Sequence, residues 1–429
     1  MTRVDLKDNQ RIPQIMQLLE EMSMIRDPLE LQKRFAAGIR QIHPFSGYIS
    51  LSTRDLPPGW YRITRVTLDH LGPTNWRDNW KLGDTLPLHT GGFLGEVIRD
   101  PTPKLYQNLH VTDDPVLGDA LAPLRSAMAL PLFDQGKALN WGIPFHNDPM
   151  GFTAAQLEDQ LMRGNLVGGM VRNLVNTRRI EELNRQLNEQ MEQVANIQRS
   201  LIPQSLPDVQ GLRMATSYVT SNQAGGDYYD FFDMGQDRLG VVVADVSGHG
   251  AGAATVMAML HSILHDYQDR SKGPAAMLSH ANARLAEKGL EGSFVTAFMG
   301  VFDPDRRAMT ISNAGHNLPA VRGRQGQVRE LKGAGSLPLG VLDDAEYIHE
   351  RVEMSPGETL VVYTDGITEA FSPPPEKEMF GVDRLKLALS ESSSDPAGVI
   401  DSIHGRLFEH TQTRDRIDDQ TIVAVRVEE

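Results

Sequence analysis

The sequence reads as a multi-domain α/β protein, with a mixed α/β domain over residues 1–176, a helical linker over 177–204 and a layered sandwich over 205–429. Three observations predict this. At 429 residues the chain is too long for one ordinary core, so two domains and a connector are expected. A narrow apolar stripe on a polar stretch near the middle marks a connecting helix. The second half sets blocks of strands between blocks of helices, which favours a layered sandwich over a doubly wound parallel sheet.

Residues 1–176 open with helical patterns from Ile15 to Met24 and from Pro28 to Ile42, then continue into the strands GYISLS and WYRITRVTL. LGEVIRD reads as a helix. SAMALPLFDQGKALNWGIPF reads as a β-hairpin turning near Asp134–Lys137, and a closing helix runs from Thr153 to about Thr177. From there Ile180, Leu183, Leu187, Val194, Ile197 and Leu201 follow three-and-four spacing, with Gln190 interrupting the seam beside Met191. Such a stripe belongs either to one amphipathic helix packed on its own domain or to a short parallel coiled coil. The coiled coil, and with it a homodimer, is the expectation. Pro203 and Pro207 end the helix.

From about Ser205 the strands are RMATSYVT, YYDFFDM, RLGVVVADV, FVTAFMGVFD, AMTISNAG, ETLVVYTD and TIVAVRV. Helical patterns cover Ala251–Tyr267, Pro274–Lys288, Val382–Leu389 and Pro396–His410. Turn residues in FDMGQDRLG and FDPDRRAM join successive strands, which implies antiparallel pairing.

Composition narrows the function. Hydrophobic content of 40% and charged content of 23% describe a soluble globular chain, and a net charge of −14 argues against nucleic-acid binding. The absence of cysteine removes disulfides, thiolate metal sites and thiol nucleophiles. The start, MTRVDLKDNQRIPQ, lacks the apolar core of a signal peptide, and no run approaches the roughly 20 apolar residues of a membrane span. A cytoplasmic protein without a membrane partner is expected.

Four short acidic signatures lie in the second half, each at the end of, or just before, an apolar β-like run. GGDYYD puts Gly225 and Gly226 ahead of Asp227, and glycine lets the backbone approach a bound group closely. ADVSGHGAGAA ends an apolar strand on Asp245 and Val246. Its Gly-rich loop, with Ser247 and His249, opens a helix and can serve a metal, its waters or a phosphate. His249 is either a general acid/base or a histidine that hydrogen-bonds the loop. LVVYTDGITEA ends a strand on Asp365 and Gly366, while DDQT sets Asp418 and Asp419 before the last strand. NAGHN puts Asn313 and His316 either along the site or in a structural turn. Each aspartate alone is readable as a turn or N-cap residue. Together, carboxylates gathered at strand ends suit Mg²⁺ or Mn²⁺ and not zinc.

The four motifs, in this order, resemble the metal-dependent (PPM) protein Ser/Thr phosphatases, in particular the bacterial branch typified by the SpoIIE and RsbU phosphatases. The likeness covers roughly Gln193 to Glu429, beginning with IQRSLIPQSLP. It implies an αββα sandwich of two antiparallel sheets flanked by helices, and hydrolysis of phosphoserine or phosphothreonine. It also implies two Mn²⁺ or Mg²⁺ ions on Asp227, Asp245, the Val246 backbone carbonyl, Asp365 and Asp418, or Asp419 if the motif is shifted by one. Gly226, Ser247, His249, Gly366, Asn313 and His316 are expected to line the site. Water activated between ions about 3.5–4 Å apart would be the nucleophile, so no side chain is needed in that role. The substrate implied is a phosphorylated STAS-type anti-anti-sigma factor of a partner-switching pathway.

Two features depart from the eukaryotic relatives. No arginine near Asp227 matches the one that holds phosphate there, and Val246–Ser247–Gly248 separate His249 from Asp245, so His249 does not inherit the role of their adjacent histidine. Residues 1–176, notably SAMALPLF and the closing helix, resemble a GAF-type sensory domain, with a PAS-like fold as the near alternative. That domain is expected to control the phosphatase. Two rival readings are a non-catalytic phosphatase-like scaffold and a diguanylate cyclase. In the second, Tyr228 and Tyr229 replace residues of the GGDEF signature, and the TDG and DDQT motifs have no purpose.

Overall fold

The computed structural model describes residues 11–428 apart from 73–75, 77–81, 83, 84, 290, 291 and 304. It divides into two compact units, Met1–Asn184 and Arg185–Glu429.

In the first unit, α1 (Arg11–Met24) and α2 (Pro28–Ile42) precede the sheet. Asp27 starts α2: its carboxylate accepts the Glu30 N–H at 2.7 Å, and Pro28 needs no donor partner in the first turn. The sheet holds β1 (Gly47–Ser52), β2 (Trp60–Leu68), β3 (Leu88–Thr90), β4 (Lys104–Tyr106), β5 (Ser126–Asp134) and β6 (Lys137–His146), ordered β3-β2-β1-β6-β5-β4. All its pairings are antiparallel. The β5–β6 hairpin turns through Gln135 and Gly136, with φ of 49° and 78°, where the sequence placed its turn. Helix α3 (Gly92–Val97) is shorter than LGEVIRD suggested. Its Leu94 and Val97 pack with Ile49, Leu51, Trp141 and Ile143 of the sheet.

A single helix, α4 (Ala154–Leu201), covers both the domain-closing helix and the linker of the sequence reading. Its Val171 joins Leu18, Met22 and Leu31 of the first two helices. Further along, Ile180, Leu183 and Leu187 are more than half exposed.

The second unit is built on two sheets. One holds β8 (Tyr228–Asp233), β9 (Leu239–Val246), β10 (Val295–Asp303), β11 (Ala308–Ala314), β14 (Gly335–Ser336) and β15 (Glu350–Glu353). The other holds β7 (Leu212–Val219), β12 (Ala320–Arg322), β13 (Val328–Glu330), β16 (Thr359–Tyr363) and β17 (Gln420–Val427). Every pairing is antiparallel except the two-residue β11–β14 contact. The strands β12 to β15, of two to four residues, escaped the sequence reading because so short a run shows no period.

Alternation builds the layers. Leu360, Val362, Val423 and Val425 join the core shared with Val241, Phe298 and Tyr228 of the facing sheet. Their neighbours Val361, Tyr363, Ile422 and Ala424 instead meet Leu385 and Leu389 of α8 (Gly381–Glu391) and Ile403 of α9 (Pro396–Thr411). Helices α5 (Ala251–Asp266) and α6 (Pro274–Lys288) cover the other sheet through Met257, Leu260, Leu278 and Leu285. Strand β9 is therefore buried on both faces, which explains its unbroken apolar run. The order is helices, sheet, sheet, helices.

Candidate metal centre

Register brings the four acidic motifs to one end of this sandwich. Tyr228 pairs with Ala244, so Asp227, one residue before β8, stands opposite Asp245 near the end of β9. In the facing sheet Tyr363 pairs with Ile422, which puts Thr364–Asp365 beside Asp419–Thr421. The Thr364 N–H donates to the Thr421 carbonyl at 3.1 Å and continues the ladder. Asp365 opens α7 (Asp365–Thr368), a single helical turn.

Asp227 is almost fully buried and spans the two sheets. Its Oδ2 accepts from Thr364 Oγ1 at 2.8 Å and Thr421 Oγ1 at 2.5 Å. These hydroxyls orient the carboxylate and favour its charged form. The glycines of GGD and TDG are there because other backbone comes too close for a side chain. A Cβ on Gly226 would lie 2.7 Å from the Val246 carbonyl oxygen, and one on Gly366 would overlap the Asp419 carbonyl. Gly248 and Gly250, with φ of 91° and 78°, let the loop after Asp245 turn tightly into α5.

Asp418 and Asp419 differ in role. Asp419 is buried, and both its oxygens are committed: Oδ1 accepts the Ser221 N–H at 2.8 Å and Oδ2 the Gly226 N–H at 2.6 Å. It ties down the loop before Asp227. Asp418 is exposed at the rim, with Oδ1 accepting only the Asp419 N–H at 2.8 Å. His249 is exposed and near enough for its charge to act on Asp418. Ser247 is a loop staple: its N–H donates to the Phe294 carbonyl and its Oγ accepts the Phe294 N–H, both at 2.9 Å.

Asn313 and His316 form a turn. Asn313 Oδ1 accepts the His316 N–H at 2.7 Å, and its Nδ2 donates to the His316 carbonyl at 3.0 Å. The buried His316 ring lies 2.8 Å from Thr296 Oγ1, and Thr296 is the strand partner of Asp245. Burial brings the His316 imidazole down to about 4, so it is neutral at physiological pH.

The electrostatics are those of crowded carboxylates. Burial, then the charges of Asp365, Asp418 and Asp419, push Asp245 up to about 8. Burial and Asp245 hold Asp227 well above the carboxylate range despite its two threonines. Asp365 rises to about 6 through burial, Glu369 and Asp418. Asp418, though exposed at the rim, rises through partial desolvation beside its neighbours and the Asp419 charge, against the Asp419 N–H bond and His249. Crowding of this kind raises the affinity of the group for a proton or a cation. The oxygens offered, four carboxylates plus a carbonyl that only a glycine leaves accessible, fit a hard divalent ion such as Mg²⁺ or Mn²⁺.

Residues 235–428 match the family described as Stage II sporulation protein E (SpoIIE). The C-terminal unit is a SpoIIE-type domain. Its fold is that of the SiaA-PP2C domain of Pseudomonas aeruginosa, with a TM-score of 0.51, 20% identity, and coverage of 57% of this chain and 99% of that one. Among curated relatives, Protein IcfG of Synechocystis sp. is 28% identical over 263 residues, 55% of this chain and 41% of its own length. The phosphoserine phosphatase RsbU of Bacillus subtilis is 26% identical over 188 residues, 44% of this chain and 56% of its own. The chain thus spans about half the length of the curated relatives it matches.

Three contributors to the SpoIIE-type site went unread in the sequence. Thr364 and Thr421 sit inside the TDG and DDQT motifs, where the aspartates drew attention. Gln198 of α4 clasps the GGD loop from outside it: Nε2 donates to the Gly225 carbonyl at 2.6 Å, and Oε1 accepts the Gly225 N–H at 3.0 Å. A buried glutamine on a polar helix face carries no sequence signal.

Proposed function

We propose that the protein is a Mn²⁺- or Mg²⁺-dependent protein serine/threonine phosphatase acting on a phosphorylated STAS-type anti-anti-sigma factor. The observation that carries this reading is the convergence of Asp227, Asp245, Asp365 and Asp418 at one end of a SpoIIE-type sandwich, the first two at the paired strands β8 and β9 of one sheet and the last two beside the paired strands β16 and β17 of the other. These carboxylates and the Val246 carbonyl would hold two such ions, which when bound would supply charge neutralisation at phosphate and activation of water. The chain's own residues do the positioning. Thr364 and Thr421 orient Asp227 and favour its charged form, Asp419 and Gln198 fix the loop ahead of it, and the Ser247 staple fixes the loop behind Asp245. The phosphoserine phosphatase RsbU, similar over this region, supports the substrate class.

The N-terminal unit is proposed as a GAF-like sensory domain acting through α4 in a homodimer. Ile180, Leu183 and Leu187, spaced by three and four and more than half exposed, support a paired helix. Val194 does not belong to that seam, because it packs with Ala195 against Ala224 and Ala254. Among the described residues no helix is long and apolar enough to cross a membrane, and a cytoplasmic location is proposed on the substrate class.

The test is incubation with phosphorylated STAS proteins from the same genome, with and without Mn²⁺, reading loss of the phosphoprotein band. Metal-dependent loss supports the reading. No loss from any of them, with phosphoserine peptides also untouched, overturns it. For the dimer, Leu187→Asp should convert a sedimenting dimer to monomer, and a wild-type monomer at micromolar concentration would refute it.

A further inference from the structure

A second cluster of ligand atoms lies outside the aspartate centre. Asp230, on β8, has a side chain only 9% exposed, and its Oδ2 lies 2.7 Å from His265 Nε2 and 3.5 Å from His261 Nδ1. All three atoms lie within 4.8 Å of one another. His261 and His265 are one turn apart on α5, so both rings reach the same side, with centroids 4.3 Å apart. Two histidines four residues apart on a helix, joined by a carboxylate from another element, are the spacing that transition-metal sites use.

We infer that Asp230, His261 and His265 form a binding site for a borderline-soft divalent ion of the Zn²⁺ class, distinct from the hard-metal centre. Tetrahedral ligands at zinc distances stand roughly 3.3 Å apart, so the Asp230–His261 separation already fits and His265 needs to withdraw by about half an ångström. With its side chain 43% exposed, His265 has room to do so, and it leaves an entry path and an open fourth position to solvent. The outer shell is built. The Tyr228 hydroxyl donates to Asp230 Oδ2 at 2.6 Å and the Phe231 N–H to Asp230 Oδ1 at 2.7 Å, which fixes the carboxylate. Two imidazole nitrogens favour Zn²⁺, Co²⁺ or Ni²⁺ over Mg²⁺, whereas the aspartate centre offers only oxygen.

The placement gives the ion a consequence. Strand β8 begins next to Asp227, and α5 begins just after the Asp245 loop. An ion bridging them clamps the strand that follows Asp227 to the helix that follows the Asp245 loop, without touching those aspartates.

The test uses full-length protein stripped with EDTA, desalted and saturated with Mg²⁺ to fill the hard-metal centre. Zn²⁺ is titrated by calorimetry, and Co²⁺ by the visible absorption of a tetrahedral nitrogen-ligated ion. Expected is one Zn²⁺ per chain, kept in Asp245→Asn and weakened by more than about tenfold in both His265→Gln and His261→Asn, since even outer-shell losses cost that much. Circular dichroism of the variants confirms their fold, and His265 is exposed enough to be replaced safely. No binding by the wild type, wild-type affinity in both histidine variants, or loss only in Asp245→Asn would overturn the assignment.

Discussion

Replacing Asp245 by Asn should abolish phosphatase activity and yet stabilise the metal-free protein. The Asp245 carboxyl sits at about 8 in the folded chain against 3.8 when exposed. A raised folded value means that its contribution to stability is intact below about pH 4 and is lost as pH rises towards 8. At pH 7 the unfolded chain has released a proton that the folded chain retains, a penalty of at most about 4 kcal/mol at about 1.4 kcal/mol per pH unit. Halving this for a partly buried group leaves about 2 kcal/mol. Asparagine has no such proton to hold. In EDTA at pH 7 the variant should therefore melt about 4–8 °C above wild type for a domain of this size. The gap should close towards pH 4. Saturating Mn²⁺ should reverse the order, because only the wild type gains binding energy. Thermal melts from pH 5 to 8, with EDTA or Mn²⁺, decide it. If Asp245→Asn melts at or below wild type in EDTA throughout, the crowding argument is wrong.

Three further outcomes follow from particular contacts. Thr421→Val removes one of two hydroxyls from Asp227 at nearly constant volume, and should raise the Mn²⁺ concentration for half-maximal activation by about 10–100-fold with kcat at saturation largely kept; an unchanged activation constant would deny Thr421 its orienting role. Gly366→Ala drives a Cβ into the Asp419 carbonyl and should cost about 1–3 kcal/mol in denaturant melts, while Gly252→Ala, with open space around it, should cost nothing. Gln198→Ala unclasps Gly225 and should speed hydrogen exchange at the amides of residues 224–226, the cost being about 1–3 kcal/mol; unchanged exchange would show that the loop stands without the helix.

The aspartates were legible because each closes or precedes an apolar strand, and a carboxylate at such a place is conspicuous. What the motifs did not contain was pairing. Nothing in the chain says that Thr364 lies beside Thr421, because that depends on the register of strands 57 residues apart, yet it decides how Asp227 is held. The DDQT ambiguity was likewise local until burial separated an interior Asp419, spent on backbone N–H groups, from a rim Asp418. The linker stripe showed its period but not its partners: Leu187 faces outward while Val194 packs on Ala224 and Ala254. The histidines of HSILH carry no signal by themselves, because the carboxylate they meet, Asp230, comes from a separate strand.

The most direct test of the central claim is phosphate release from a phosphoserine peptide by the full-length protein, wild type against Asp245→Asn and Asp365→Asn, across a Mn²⁺ titration from EDTA to saturation. The account predicts no release by the wild type in EDTA, release that rises and saturates with Mn²⁺, and near-complete loss in both variants at every concentration with the fold retained. Release by the wild type in EDTA, or undiminished turnover in both variants at saturating Mn²⁺, would contradict it.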